Sequence, residues 1–342
     1  MSERLEIATD VLIIGAGLSG VMAARTLQDA GVKRITLIDK GRSVGGRMAT
    51  RRIGPGIADH GAQFFTARTD VFKQYVDQWI AEDLVYVWSN GFSDGSLIQP
   101  NYDGNPRYAV HGGMNALMQY LKDNLKNVEL RLNVRIVSAT GDEQGWVLQD
   151  EDGGLYTSKA LIMTPPVPQA LEILDSGATT LDDDDFNALA RITYAECLTG
   201  LFWIDGRITL PQPGAVQRRN TNIVWIGDNQ QKGISEAATI ITVQAGEQYS
   251  RQMWRAPDDR ILNALRTDLR IFMDETATIR ESQLKRWRYS RPLVTHPERY
   301  MIAKLPVPLV FAGDAFGGPR VEGAFLSGIA AGKQMAQIIG VR

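Results

Sequence analysis

Apolar residues mark two short buried strands near the start of the chain. The unbroken branched and aliphatic run from Val11 to Ile14 predicts a strand buried on both faces. Residues 34–38 repeat this pattern. Between the two runs, Val21, Met22 and Leu27 lie at the spacing of a helix that packs on a sheet. The order strand, helix, strand predicts the first unit of a parallel sheet.

The same patterns continue along the chain. Helical spacing predicts helices over 70–81, 114–125, 258–274 and 322–338. Strands are predicted at 84–88, 128–137, 145–149, 155–163, 198–203, 223–226, 238–243, 283–289 and 309–312. Residues 92–107 and the acidic run Asp182 to Asp185 predict loops, the second of them solvated. The prolines at 165, 166 and 168 should end the strand before them and redirect the chain into another domain.

Three glycines follow the first strand at once, in the spacing Gly-x-Gly-x-x-Gly. Gly15 permits a tight turn, Gly17 lets the backbone approach a pyrophosphate, and Gly20 lets helix and strand pack closely. Asp39 ends the second strand about 20 residues further on, where the ribose-binding carboxylate of a dinucleotide fold belongs. A glycine turn that only caps a helix is the alternative. Strand, glycines, helix and acid together favour a dinucleotide site.

Two other stretches have the composition of ligand-binding loops. Gly45-Gly46-Arg47 combines a backbone that can approach phosphate with a guanidinium that can pair with it, although a flexible loop would look the same. Near the C-terminus a buried strand ends in Gly313-Asp314, and a small-residue helix follows a short glycine loop. Such a helix can present its first N–H groups to a ligand, and an ordinary packed terminal helix is the alternative.

Composition narrows the classes of function. The chain has 342 residues and a formal net charge of −2, so nothing indicates nucleic acid or an anionic membrane as a partner. Cys197 is the single cysteine, which excludes an intramolecular disulfide, and the three scattered histidines argue against a metal site. The N-terminus has no secretory pattern, and no apolar run approaches the roughly 18 residues of a membrane span. We therefore expect a cytoplasmic protein without a metal.

The chain resembles flavoproteins of the amine oxidase and aromatic hydroxylase superfamily, and among them the renalase family. The segments that carry the resemblance include Gly45-Gly46-Arg47-Met48, Gly61-Ala62-Gln63-Phe64 and Gly313-Asp314, and the most discriminating is Trp287-Arg288-Tyr289-Ser290. The resemblance implies an α/β fold with a Rossmann-like FAD-binding domain and a second substrate domain of mixed β-sheet and helices. The FAD-binding domain, of the amine oxidase or p-hydroxybenzoate hydroxylase type, would comprise residues 1–69, 108–168 and 286–342. The substrate domain would comprise residues 70–107 and 169–285.

The resemblance also implies roles for individual residues around non-covalently bound FAD. The glycines would hold the pyrophosphate, Asp39 the adenosine ribose, Arg47 a phosphate, Val134 the adenine and Asp314 the ribitol. The full expected FAD-binding set is Gly15, Ala16, Gly17, Leu18, Ser19, Gly20, Asp39, Lys40, Gly46, Arg47, Met48, Gly61, Ala62, Gln63, Phe64, Val134, Thr164, Gly313, Asp314, Arg320, Val321, Glu322, Gly323 and Ala324. Gln63, Trp287 and Tyr289 would surround the substrate ring as the catalytic residues.

The activity that the resemblance implies is an oxidase. It would pass hydride from 2- or 6-dihydro isomers of NAD(P)H to flavin N5, releasing NAD(P)⁺, and O₂ would be reduced to H₂O₂. The partners would then be a dinucleotide substrate and O₂, and the protein a monomer or weak homodimer. A flavin amine oxidase, or a related FAD oxidoreductase with another small substrate, is one alternative. A non-catalytic flavin-binding redox sensor is the other.

Overall fold

The computed structural model describes residues 8–96 and 103–341, so residues 97–102 of the predicted 92–107 loop lie outside the described residues. In chain order the strands are β1 (Thr9–Ile14), β2 (Ile35–Ile38), β3 (Thr50–Ile53), β4 (Gly56–Asp59), β5 (Val85–Ser89), β6 (Arg107–Val110), β7 (Val128–Arg131), β8 (Ile136–Asp142), β9 (Gly145–Asp150), β10 (Leu155–Met163), β11 (Tyr194–Asp205), β12 (Ala215–Gln217), β13 (Ile223–Asp228), β14 (Thr239–Ala245), β15 (Thr278–Pro292), β16 (Met301–Ile302) and β17 (Leu309–Phe311). The helices are α1 (Leu18–Asp29), α2 (Asp70–Ala81), α3 (Met114–Asp123), α4 (Val167–Ser176), α5 (Asp183–Ala190), α6 (Glu247–Met253), α7 (Asp258–Leu269) and α8 (Val321–Ile338).

The chain divides into two compact units. The first unit consists of Met1–Gly46, Met118–Thr193 and Arg291–Arg342, and the second of Arg47–Leu117 and Tyr194–Ser290. Both units are discontinuous, and their boundaries differ from the domain boundaries given above. Residues 47–69 join the second unit because the β3–β4 hairpin packs on its sheet, and residues 169–193 join the first because α4 packs on β8.

The first unit is built on a mostly parallel sheet. Its strand order is β16-β17-β10-β1-β2-β7, with β9 added antiparallel to β10 and β8 to β9. β17, β10, β1, β2 and β7 run parallel, and Val11, Leu12 and Ile13 at its centre are almost fully buried. The carboxyl ends of β1, β10 and β17 therefore meet at one edge, where open α/β sheets bind their ligands.

The second unit is built on a sheet of order β12-β13-β14-β11-β15. Alternate residues of β11 and β14 face opposite sides: Phe202 and Ile241 join the apolar core under α7, whereas Leu201 and Ile240 pack with the β3–β4 hairpin. The sheet is thus covered by α7 on one face and by the hairpin on the other.

Several local predictions were wrong. Residues 128–137 do not form one strand, because Asn133 has a φ of 58° and separates β7 from β8. The acidic run is not a solvated loop: Asp182 caps α5, and buried Asp185 accepts a hydrogen bond from the Lys304 N–H at 2.6 Å. The prolines do end β10, but Pro166 then caps α4, and the chain stays in the first unit.

Candidate functional site

The glycine loop after β1 contains two positions that the fold itself reserves for glycine. Gly15 has a φ of +98°, and a Cβ placed on it would lie 2.5 Å from Thr164 Oγ1. A Cβ on Gly20 would lie 1.8 Å from the Gly15 carbonyl oxygen, so α1 could not pack against β1 as closely. These glycines are explained by packing, without any ligand.

Gly17 differs, because no neighbouring atom requires a glycine there. A Cβ on Gly17 would meet nothing within 4 Å, and its φ of −72° suits other residues. Gly17 caps α1 without any side-chain hydrogen bond, and Gly46 lies beside it with a φ of +54°. Buried Ser19 Oγ, one residue into the helix, has no hydrogen-bond partner in the described part of the chain. An open, glycine-lined helix start of this kind fits a pyrophosphate.

Asp39 lies at this loop, where the sequence placed it. Its carboxylate accepts the Ala16 N–H and the Gly41 N–H, both at 2.6 Å. The Val134 N–H donates to the Asp39 carbonyl at 3.0 Å, so this backbone also lies beside the loop. A contact from Val134 to adenine would therefore use the carbonyl of Val134.

The tail motif lies at the same sheet edge. Gly313, with a φ of +141°, donates its N–H to Ser327 Oγ at 2.8 Å, and a Cβ on it would lie 3.7 Å from the Thr164 carbonyl. Thr164 in turn donates its hydroxyl to the Ile14 carbonyl at 2.8 Å. The strand ends that carry Gly15, Thr164 and Gly313 thus lie together at this edge.

Helices α1 and α8 pack with their backbones almost in contact. A Cβ on Gly328 would lie 2.2 Å from the Ser19 carbonyl, and one on Gly332 would lie 2.8 Å from the Ala23 carbonyl. Both pairings advance in the same direction, so the helices are parallel, and α8 begins about 9 Å beyond the start of α1. The two helix N-termini thus lie in line, which suits an elongated dinucleotide such as FAD. The second N-terminus is formed by Arg320, Val321, Glu322, Gly323 and Ala324.

In the second unit, Arg47 lies against residues 59–64, which we call loop 59–64. The Ala62 N–H donates to the Arg47 carbonyl at 2.9 Å, and a Cβ on Gly61 would lie 2.0 Å from that oxygen. The Arg47 guanidinium donates to the carbonyls of Tyr289 and Ser290, both at 3.3 Å. This contact links the Gly-Gly-Arg motif to β15, which the sequence did not anticipate.

Loop 59–64 is anchored by a buried ion pair that sequence reasoning missed. Lys232 Nζ donates to Asp59 Oδ2 and to the Gln63 carbonyl, both at 2.5 Å, and both side chains of the ion pair are within 1 % of full burial. Asp59 Oδ1 also accepts the Thr50 hydroxyl at 2.6 Å and the Met114 N–H at 2.8 Å. The separation of 173 residues between the charges left no local signal for this pair.

His60 and Trp287 form an aromatic stack beside that anchor. Their ring centroids are 5.3 Å apart at 20°, and the Trp287 indole N–H donates to the His60 carbonyl at 2.7 Å. Lys285 Nζ lies 4.9 Å from the Trp287 ring centroid. Burial, with the positive charges of Arg51 and Lys285, lowers the pKa of His60 to about 3. The His60 ring is therefore neutral near pH 7, in a locally positive environment.

The other predicted residues of this unit have mainly internal contacts. The Gln63 amide N–H groups donate to the Asp59 carbonyl at 2.8 Å and the Gly61 carbonyl at 3.1 Å, so this side chain turns into its own loop. Phe64 packs with Phe92 and Trp225, Tyr289 packs edge-on against Tyr194, and Met48 is buried.

In the first unit, the predicted residue Lys40 donates a hydrogen bond to the side-chain oxygen of Gln169.

Cys197 has the surroundings of an unreactive thiol. Its sulfur lies 3.6 Å from the Ala245 carbonyl and 3.7 Å from the Thr199 hydroxyl. Burial raises the pKa of the thiol to about 11, so the reactive thiolate is scarce near pH 7.

Within residues 8–96 and 103–341, no helix is long and apolar enough to cross a bilayer. The same part of the chain contains no group of three or more side chains arranged to hold a metal ion.

Two family models match the chain. Residues 13–79 match a model described as an NAD(P)-binding Rossmann-like domain, and residues 82–336 match one described as flavin containing amine oxidoreductase. The second match covers well over half of the chain and includes both strand β15 and the start of α8.

Solved structures show the same fold at low sequence identity. One, from Exiguobacterium sp. 255-15 and provisionally described as a protoporphyrinogen oxidase, has a TM-score of 0.72 at 14 % identity, covering 97 % of this chain and 98 % of its own. A protein of Pyrococcus furiosus has a TM-score of 0.66 at 14 % identity, covering 96 % and 97 %. A redesigned putrescine oxidase variant has a TM-score of 0.66 at 13 % identity, covering 97 % and 99 %. These likenesses confirm the predicted fold class.

Proposed function

This chain belongs to the flavin-containing amine oxidoreductase family, and we propose that its substrates are isomeric dihydronicotinamide dinucleotides of the 2- or 6-dihydro type. It is an FAD-dependent oxidoreductase, as the sequence predicted. In the proposed overall reaction, the dihydro-NAD(P) isomer, one proton and O₂ give NAD(P)⁺ and H₂O₂. FAD, when bound, supplies the hydride acceptor.

The chain's own residues would bind FAD and orient the substrate ring. The open helix start at Gly17 would hold the FAD pyrophosphate, and Asp39 would hold the ribose next to the loop that it already orders. Trp287 and Tyr289 offer flat aromatic walls for a flat heterocycle. Because the Gln63 amide is committed to main-chain carbonyls, we assign Gln63 to positioning this loop, not to contacting substrate.

The observation that carries the proposal is the positive charge beside Trp287. Lys285 lies over the ring, and burial together with the nearby charges of Arg51 and Lys285 lowers the pKa of His60. Such a field opposes the approach of an ammonium group and favours a substrate that carries a diphosphate. It therefore favours a dinucleotide over a simple amine.

The protonation state of His60 is consistent with this chemistry. Loss of one hydride converts a dihydropyridine directly into an aromatic pyridinium, so no proton has to be removed from the substrate. His60 therefore need not act as a base. It stays neutral across the physiological range and packs against Trp287. What the protein must supply is orientation at near-attack distance.

The deciding experiment is anaerobic rapid mixing of the FAD-loaded enzyme with each class of donor. We expect fast bleaching by 2- and 6-dihydro isomers of NAD(P)H, little bleaching by primary amines, and a rate nearly flat from about pH 6 to 9. Efficient turnover of an amine, or a steep rise with one ionisation, would instead indicate an amine oxidase. A flavin that no donor bleaches would indicate a sensor.

A charge-removal series tests the carrying observation. Arg51→Gln and Lys285→Gln should each raise KM for the dinucleotide isomers by roughly 2–5-fold, since each removes one partly exposed cation. The matched control is Arg52→Gln, which removes the neighbouring arginine whose side chain alternates to the other side of β3. Equal KM values in all three variants would contradict the proposal.

A further inference from the structure

The second unit has a basic cavity on the side of its sheet opposite the His60–Trp287 stack. Along β15, Lys285 and Trp287 share one side, whereas Arg286 and Arg288 alternate to the side that carries α6 and α7. A cavity of about 580 Å³ opens here. It is lined by Glu196, Arg251, Gln252, Trp254, Arg255 and Arg288.

The cavity has a fixed wall. Arg286 donates to the carbonyls of Trp254 at 3.3 Å and Ala256 at 2.8 Å, and pairs with Asp258 at 2.6 Å. These bonds tie the segment after α6 to β15. The backbone that carries Arg255 is therefore fixed against β15, while the Arg255 and Arg288 side chains are exposed to solvent.

The charges in the cavity are not balanced. Arg251 pairs with Glu247 at 3.0 Å, but among the described residues neither Arg255 nor Arg288 has a carboxylate within 4 Å. The single acid in the lining, Glu196, faces three arginines. Like charges held together disfavour the empty cavity and favour a multiply charged anion in it.

We propose that this cavity binds an organic phosphate through Arg255 and Arg288. Guanidiniums present paired N–H donors that match phosphate oxygens, and the volume lies within the range of nucleotide-sized ligands, roughly 300–1,000 Å³. The phosphate could belong to the dinucleotide substrate or to a separate phosphorylated metabolite. The shared chemistry is a mono- or diphosphate ester, and only the first source rests on the proposed function.

The test is calorimetric titration of the FAD-saturated enzyme with ADP, pyrophosphate and adenosine. We expect ADP and pyrophosphate to bind and adenosine not to bind. Arg255→Gln and Arg288→Gln should each weaken ADP binding at least roughly 10-fold, the effect of losing a charge-assisted hydrogen bond. Arg260→Gln, an exposed arginine on α7, should bind ADP as the wild type does.

Absence of ADP and pyrophosphate binding would overturn the proposal, as would unchanged affinity in both arginine variants. KM values then separate the two sources. A rise for the dinucleotide but not for a reduced nicotinamide riboside, which carries no phosphate, would assign the phosphate to the substrate. Unchanged KM values with lost ADP binding would assign it to a separate metabolite. Because binding is measured without turnover, failure of the proposed function leaves this result readable.

Discussion

Removing the buried ammonium of Lys232 should destabilise the protein strongly. In Lys232→Met the Asp59 carboxylate, which is fully buried, keeps as donors among the described residues the Thr50 hydroxyl and the Met114 N–H. Breaking one partner of a buried pair costs about 3–5 kcal/mol, because the remaining charge stays desolvated. For a unit of this size, that loss lowers the unfolding midpoint by about 6–20 °C.

The measurement is thermal and urea unfolding of the FAD-saturated enzyme, since bound cofactor contributes to stability and must be held constant. Lys304→Met is the matched control: its ammonium pairs with Asp182 at 3.1 Å and Asp184 at 3.3 Å but is 60 % exposed. Its loss should lower the unfolding free energy far less than the loss of Lys232, because solvent screens an exposed ion pair. The double variant Asp59→Asn with Lys232→Met should lose less than the two single losses combined, because the stranded charge is gone.

A small effect would refute this reasoning. If Lys232→Met unfolds within about 1 kcal/mol of the wild type, the pair is not the desolvated anchor described above. If the double variant loses the full sum of the single losses, Lys232 and Asp59 act independently, and loop 59–64 is held by its other bonds.

Four further predictions concern the cofactor site and pH. Gly17→Ala should change the free energy of unfolding by no more than about 1 kcal/mol but weaken FAD binding at least roughly 10-fold, whereas Gly20→Ala should destabilise the fold itself. Unfolding curves measure the stability, and equilibrium dialysis measures the FAD affinity. Asp39→Ala should weaken FAD binding by about 1–3 kcal/mol, and an unchanged affinity in dialysis would rule out its ribose contact. Because the thiol of Cys197 is buried with a pKa of about 11, acid precipitation should release all flavin, and colour retained on the pellet would disprove non-covalent binding. The pKa of His60 in the folded protein is about 3, below its ordinary value, so the unfolded chain takes up the proton first as the pH falls. Between about pH 7.5 and 5.5, the free energy of unfolding of the wild type should therefore fall by about 1.4 kcal/mol more than that of His60→Gln.

The sequence alone determined the dinucleotide half of this protein. Val11 to Ile14, the three glycines and Asp39 lie within a short stretch, so local periodicity and spacing were sufficient to predict β1, α1 and β2 in order. The Gly313 motif was equally visible because a buried strand, a turn and a helix follow one another directly. These features depend on neighbours in the chain, and neighbours are what a sequence shows.

Only the tertiary structure decided the second unit. Asp59 and Lys232 are 173 residues apart, and their pairing depends on the β3–β4 hairpin packing on a sheet whose strands lie between residues 194 and 292. The neutral state of His60 has the same origin, since burial under Trp287 and the charges of Arg51 and Lys285 produce it together. Desolvation and charge proximity are properties of three-dimensional neighbours, so no spacing rule along the chain could have specified them.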